Sequence, residues 1–220
     1  MTSLLRSPAI LVLTGILLSA TIAGFLAIPP ETLLPIHWGP DGTADAFWPR
    51  NRALFLAPVA VALILTLSAF AERFAPKPEI RAGRHVTAVT VSGILALFAA
   101  IQTVIVLIGL GFDLSMSRVI AFGMGLLAIV VGNVLPKSQP NSLAGMRLPW
   151  TLKDAKNWRA THRLTGGLMV ATGALQVALS LALPTGMLLA FTTVAAMVGP
   201  VSIGCLYSYS FSRGRRPGTP

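Results

Sequence analysis

Six stretches of nearly unbroken apolar residues, separated by short polar interludes, organise this chain: Pro8 to Ile28, Ala53 to Phe70, Val86 to Leu110, Val119 to Leu135, Leu164 to Leu183 and Met187 to Phe211. Leu, Ala, Val, Ile and Gly dominate them without the strict alternation of a barrel strand, so each reads as a helix. At about 1.5 Å per residue each reaches, or in the fourth case approaches, the ~30 Å of a hydrocarbon core. The pattern predicts an all-α polytopic membrane protein with six transmembrane helices. Between the last two, Leu183-Pro184-Thr185-Gly186 is the whole interruption, a tight-turn signal that makes those helices antiparallel neighbours. Small residues at helical spacing, Gly167 with Ala171 and Gly199 with Gly204 beside Pro200, are expected to let backbones approach or the last helix bend.

Composition agrees: of 220 residues, 54% are hydrophobic and only 11% charged, outside the usual range of soluble domains. The net charge of +10 does not point to direct nucleic-acid binding, because the basic residues lie in the gaps between apolar runs rather than on one soluble face. It reads instead as topology. Fourteen of the 17 Lys and Arg residues fall before the first span, between the second and third, between the fourth and fifth, and after the sixth; Arg50, Arg52 and Arg118 fall on the other side. Cytoplasmic loops carry the excess, so both termini are expected in the cytoplasm. The first span exceeds the roughly 7–15 residues of a signal-peptide core and reads as an uncleaved anchor. Cys205 stands alone in an apolar run, which gives no disulfide framework and no thiol cluster.

Two polar loops interrupt the pattern. The first, about residues 29–52, lies outside the cytoplasm on this topology and holds Glu31, Asp41 and Asp45 together with His37. Pro40-Asp41-Gly42 is a β-turn signal, so the loop is expected to be structured. His37 and the carboxylates are ligand types for a divalent ion, but their spacing matches no metal motif; hydrogen bonding within a folded loop is the better reading, and no metal or cofactor is expected. Trp38 and Trp48 read as interfacial anchors.

The second loop, about residues 136–163, contains prolines at 136, 140 and 149 that exclude one continuous helix. Thr151-Leu152-Lys153-Asp154 has the form of a helix N-cap, with Thr151 as the capping residue. On the helix that would follow, Ala155, Trp158 and His162 share one face and Lys153, Lys156 and Arg159 flank it, which predicts a short amphipathic helix that either lies under anionic headgroups or docks a cytoplasmic protein.

The motifs in these loops resemble the SdpI family of bacterial membrane proteins, whose founding member protects a cell against a secreted toxic peptide. In the long loop the matching residues are Gly132-Asn133, Leu135-Pro136-Lys137, Pro140-Asn141, Gly145, Arg147, the run Pro149-Trp150-Thr151-Leu152-Lys153-Asp154, Asn157-Trp158, and Thr161-His162-Arg163 followed by Gly166 or Gly167. In the first loop, Leu34-Pro35-Ile36-His37-Trp38 with Gly42 and Asp45 is similar to the short N-terminal domain that precedes the SdpI module. Leu148 and Ala155 depart from the family's usual Thr and acidic residue. The resemblance implies an N-terminal helix pair over 1–85 and an SdpI-like four-helix module over 86–220. It also implies immunity to a toxin peptide and signalling through a helix-turn-helix repressor held at the membrane. On that reading Glu31, His37, Trp38, Asp41 and Asp45 face the toxin. Asn133, Asn141, Arg147, Pro149, Trp150, Thr151, Asp154, Trp158, His162 and Arg163 form a cytoplasmic signalling or anchoring motif.

Other classes fit less well. A small transporter or channel usually places ionisable groups within its spans, and here the large polar groups inside them are Gln102 and Gln176, whose expected role is interhelical hydrogen bonding. An enzyme is not expected, because no nucleophile stands in a recognised motif and no phosphate-binding loop or H-E-x-x-H occurs.

Overall fold

Proline and glycine punctuate the elements of this chain in its computed structural model, which describes residues 4–214. Arg215 and Arg216, counted above in the charge asymmetry, lie outside the described residues. Pro8 opens helix α1 (Pro8–Ala27), where its missing N–H is harmless because the first turn has no intrahelical acceptor. After Pro29 and Pro30 come two strands, β1 (Leu33–Trp38) and β2 (Ala44–Pro49), then α2 (Arg50–Phe74), α3 (Lys77–Gly109), α4 (Met116–Val134), a five-residue α5 (Pro149–Lys153), α6 (Ala155–Ala182) and α7 (Met187–Gly214). All of these helices except α5 are long and apolar enough to cross a membrane. Two begin more than two turns before their apolar runs, α3 at Lys77 rather than Val86 and α6 at Ala155 rather than Leu164. Polar residues such as Arg81 and Arg159 are good helix formers, so each helix continues until Pro76 or Asp154 stops it.

Along the bundle α1 packs on α2 and α3, α3 on α4, α4 on α6, and α6 on α7. Leu17, Val61 and Leu95 are buried in the cluster between the first three helices, while Leu11, Leu63 and Phe191 face outward. A bundle apolar on both its inner and outer surfaces has lipid as its solvent. Gln102 of α3 is buried and donates from Nε2 to Thr21 Oγ1 of α1 (2.9 Å) and to the Leu54 carbonyl of α2 (3.0 Å). The expected interhelical role of this side chain is thus realised across three helices.

The closest approach of one helix backbone to another is made by glycines other than the pairs picked out in the sequence. A Cβ on Gly132 of α4 would lie 2.6 Å from the Gly166 carbonyl oxygen of α6, and one on Gly173 of α6 would lie 2.7 Å from that of Gly125 on α4. Each helix carries its two glycines seven residues apart, two turns, so the antiparallel backbones touch twice. Gly167 and Gly199 face open space, whereas Gly204 of α7 fits against Thr165 and Met146.

The first loop is a β-hairpin, and its Pro40-Asp41-Gly42 signal forms the turn. Gly39 N–H donates to the Thr43 carbonyl (2.8 Å), and Gly42 takes φ +87°. The period-2 set Leu34, Ile36 and Trp38 packs toward Ile28, Leu54 and Val106, over the ends of α1, α2 and α3. Pro35, followed by an irregular register between Pro35 and Trp38, obscures that alternation in the sequence.

Two of the three arginines on the sparsely charged side have defined roles. Arg50 is buried, and its Nη1 donates to the Phe25 (3.2 Å) and Ile28 carbonyls at the C-terminus of α1. Arg118 does the same for α6, with Nη1 donating to the carbonyls of Ser180 (2.7 Å) and Leu181 (3.2 Å). A helix C-terminus presents unpaired carbonyls and partial negative charge, and a planar guanidinium satisfies both. Arg50→Gln is expected to lower stability by about 2 kcal/mol, the scale of a charged hydrogen bond lost at a buried site, while exposed Arg52→Gln changes it by less than about 0.5 kcal/mol. Thermal unfolding of the two variants in detergent reads the difference, and equal behaviour would remove the capping role.

Candidate functional site

The predicted site residues form two groups at opposite ends of the bundle. At the hairpin end, His37 Nδ1 and Asp45 Oδ1 are 2.6 Å apart with both side chains largely exposed. Asp41 accepts the Thr43 hydroxyl on Oδ2 (2.8 Å) and the Thr43 N–H on Oδ1 (3.0 Å), which holds its carboxyl below the usual carboxylate range. Glu31 is exposed, and Trp38 is half-buried against the hydrophobic cluster beneath the hairpin. The hairpin tip reaches across the bundle. Ser117 at the start of α4 donates to the Gly42 carbonyl (3.3 Å), and a Cβ on Gly42 would meet Thr185 in the α6–α7 turn.

At the other end, residues 138–148 cross the start of α6 and are fastened there by a connected set of polar groups. Trp158 and His162, one turn apart on α6, are fully buried and stacked with ring centroids 4.1 Å apart. The indole Nε1–H donates to the Ser138 carbonyl and hydroxyl oxygens, both at 3.2 Å. His162 Nε2 accepts the Met146 N–H (2.9 Å), so Nδ1 carries the proton and donates to the Trp158 carbonyl (2.7 Å). That fixes a neutral tautomer with neither nitrogen available for proton transfer. Gly145, at φ +107°, lies against both rings, and any Cβ there would collide with His162 Nε2. Only glycine meets both demands.

A second branch ties α6 to α7. Asn157 Oδ1 accepts from Thr161 Oγ1 and Ser208 Oγ, each at 2.9 Å, while its Nδ2 donates to the Ser208 carbonyl (3.0 Å). Trp150 Nε1–H then donates to Ser208 Oγ (2.8 Å), and its ring meets Tyr209 edge-on. Thr151 Oγ1 accepts the Leu148 N–H (2.9 Å) and lies 2.7 Å from the Met146 carbonyl, its acceptor. Asn141, also buried, folds the loop by accepting the Leu143 and Ala144 N–H groups (2.8 Å each). The loop is joined to α3 where Glu79 accepts the Ser142 N–H (3.1 Å) and hydroxyl.

This geometry corrects two expectations. The cap of the long helix is Asp154, which accepts the Lys156 N–H (2.8 Å); Thr151 belongs to the preceding helix α5, where Pro149 sets the first turn and the threonine hydroxyl is turned back onto the loop. Trp158 and His162 do not lie on an interfacial face, because α6 runs unbroken into the fifth span and residues 138–146 cover both rings; the short helix at this position is α5. Arg147 donates to the Ser142 carbonyl. Asn133 and Arg163 are exposed and stand apart from the network. Ser138 and Ser208 were missed. Each is a lone serine with a partner 20 or 51 residues away, a link that no local spacing encodes.

The arrangement is a latch: every buried donor in it has an acceptor, and it offers no free nucleophile or base. What faces outward is basic, with Arg147, Lys153, Lys156, Arg159 and Arg163 all exposed. Residues 137–208 match the SdpI/YfhL protein family, a segment that runs from one residue before Ser138 to Ser208 and so contains every hydrogen-bonded residue of the Trp158 and Asn157 branches. Over 184 residues the chain is 27% identical to "Immunity protein SdpI" of Bacillus subtilis (strain 168), a match covering 84% of each protein. No solved structure matches. The six apolar helices and this relationship describe a multi-pass bacterial membrane protein. Family match and relative together make the chain similar to the SdpI family, with the hydrogen-bonded latch of the long loop inside the matched segment.

Proposed function

We propose that this protein protects its cell against a secreted antimicrobial or toxin peptide, and that it signals by holding a cytoplasmic helix-turn-helix repressor at the membrane. The observation that carries the reading is the reach of the hairpin: its tip, which displays Asp41 beside the His37 and Asp45 pair, rests on Ser117 and on the Thr185 turn. These are the ends of α4, α6 and α7, and the opposite ends of α6 and α7 hold the latch. A peptide that moved the hairpin would bias the same helices that position the basic loop. The name of the Bacillus subtilis relative supports immunity as the primary duty. In this reading the hairpin end lies outside the cell and both termini lie inside, consistent with the basic excess at the latch end. Residues 1–85 are the sensing half and 86–220 the SdpI-like module.

Expression in a toxin-sensitive bacterium tests immunity: survival no better than with empty vector, at confirmed membrane level, would remove it. Recruitment is tested separately. The Lys156→Glu/Arg159→Glu variant is expected to retain protection while the membrane-bound repressor fraction falls about tenfold, as loss of a charged contact worth about 1.4 kcal/mol would give. Unchanged recruitment would exclude this face as the docking surface.

A further inference from the structure

A cavity of about 780 Å³ lies at the latch end, between the 3-10 turn Leu4–Arg6 and the adjoining ends of α2 and α3. Leu67 and Ala71 of α2, Ala88 of α3 and Leu143 of the long loop give it apolar walls, and Arg6 and Arg84 line it as well. Arg50, Arg118 and Arg147 donate to protein carbonyls, and Arg213 stacks on Tyr209 at 4.9 Å. Arg6 and Arg84, in contrast, are exposed and make no hydrogen bond or ion pair among the described residues. The one carboxylate on the wall, Glu72, accepts the Leu4 N–H (3.2 Å) and so is directed at the 3-10 turn.

We propose that this cavity binds an anionic phospholipid, with its phosphate between the Arg6 and Arg84 guanidiniums and an acyl chain along Leu67, Ala71 and Ala88. The chemistry follows from the lining. Two guanidiniums are matched by the oxygens of a phosphate, and the apolar walls exclude a freely hydrated anion but accept a hydrocarbon tail. Arg6 immediately precedes α1 and Arg84 stands seven residues into α3, so both occupy the level at which headgroups lie, while Ala88 continues toward the hydrocarbon. The hydroxyls of Ser7 and Ser68 on the same lining can donate to the ester oxygens between the two. Leu143 belongs to the loop that the latch fastens, so a bound lipid would also form part of that loop's support.

Native mass spectrometry of the full chain in detergent, with phosphatidylglycerol and phosphatidylcholine as probes, tests the site. The wild type is expected to retain phosphatidylglycerol preferentially, Arg6→Gln/Arg84→Gln to retain at least tenfold less, and Arg73→Gln/Arg81→Gln, on neighbouring turns outside the cavity, to match the wild type. Ala71→Phe, which fills the cavity and leaves every charge in place, is expected to lose the adduct too. Helicity and elution volume are compared across the variants, so that loss of lipid is scored only on folded protein. Wild-type retention by the Arg6/Arg84 variant or by Ala71→Phe would overturn the proposal, as would equal loss in both arginine pairs, the mark of diffuse surface attraction.

Discussion

Gly132→Ala is expected to destabilise the protein by about 2–3 kcal/mol, enough to lower its unfolding midpoint by roughly 4–12 °C, whereas Gly167→Ala leaves it unchanged or stabilises it by up to about 1 kcal/mol. The substitution is the same and both glycines lie in helices. Their surroundings decide the sign. A methyl on Gly132 would sit 2.6 Å from the Gly166 carbonyl oxygen and 2.8 Å from Met169 Cβ, so α4 and α6 would have to move apart along a contact they also share at Gly125 and Gly173. Lipid-exposed helices lack a hydrophobic force to hold them together, so close backbone approach carries much of the association. Gly167 meets nothing within 4 Å, and there alanine adds only helix propensity. Thermal unfolding in detergent at matched helicity reads both, and an equal response would show that glycine packing does not hold this interface.

Trp158→Ala is expected to release the loop, with a cost of about 3–5 kcal/mol for a fully buried tryptophan. The change opens a space beside His162, removes the donor to Ser138 and takes away one of the two rings on which Gly145 rests. Trp158→Phe keeps most of the packing and loses only the N–H, for about 1–3 kcal/mol. Limited trypsin cleavage at Lys137, Arg147 and Lys153 reports the loop directly, with the order Trp158→Ala, then Trp158→Phe, then wild type from fastest to slowest. Gly145→Ala, which puts a Cβ into the same rings at a positive φ, belongs with the fast group. Cleavage of Trp158→Ala at the wild-type rate would mean that Asn141, Thr151 and the Glu79 contact hold the loop without the rings.

The spans and turns were legible because they are written in local chemistry. Apolar run length gave the six helices, and Pro40-Asp41-Gly42 and Pro184-Thr185-Gly186 announced their turns. Facing directions were not. Gly166 and Gly167 are neighbours in sequence, yet one meets α4 and the other faces open space, a distinction set by how α6 is rotated against its partner. Trp158 and His162 suited an interfacial stripe as well as a buried pair, and the choice fell to residues 138–146, an irregular segment with no periodicity to read. Of the motif in the long loop, Trp150, Thr151, Trp158 and His162 join one hydrogen-bonded set and Asn141 folds the loop beside Gly83 of α3, whereas Arg147 and Arg163 lie on the exposed side.

The two capping arginines bear on how the chain is assembled. Arg50 follows its acceptors Phe25 and Ile28, so its partners already exist when it leaves the ribosome. Arg118 precedes Ser180 by 62 residues, and at about 5–20 residues per second of synthesis it waits roughly 3–12 s for α6. The first hairpin of helices can therefore close as soon as it is made, while α4 crosses with its charge unmatched and settles only when α6 arrives.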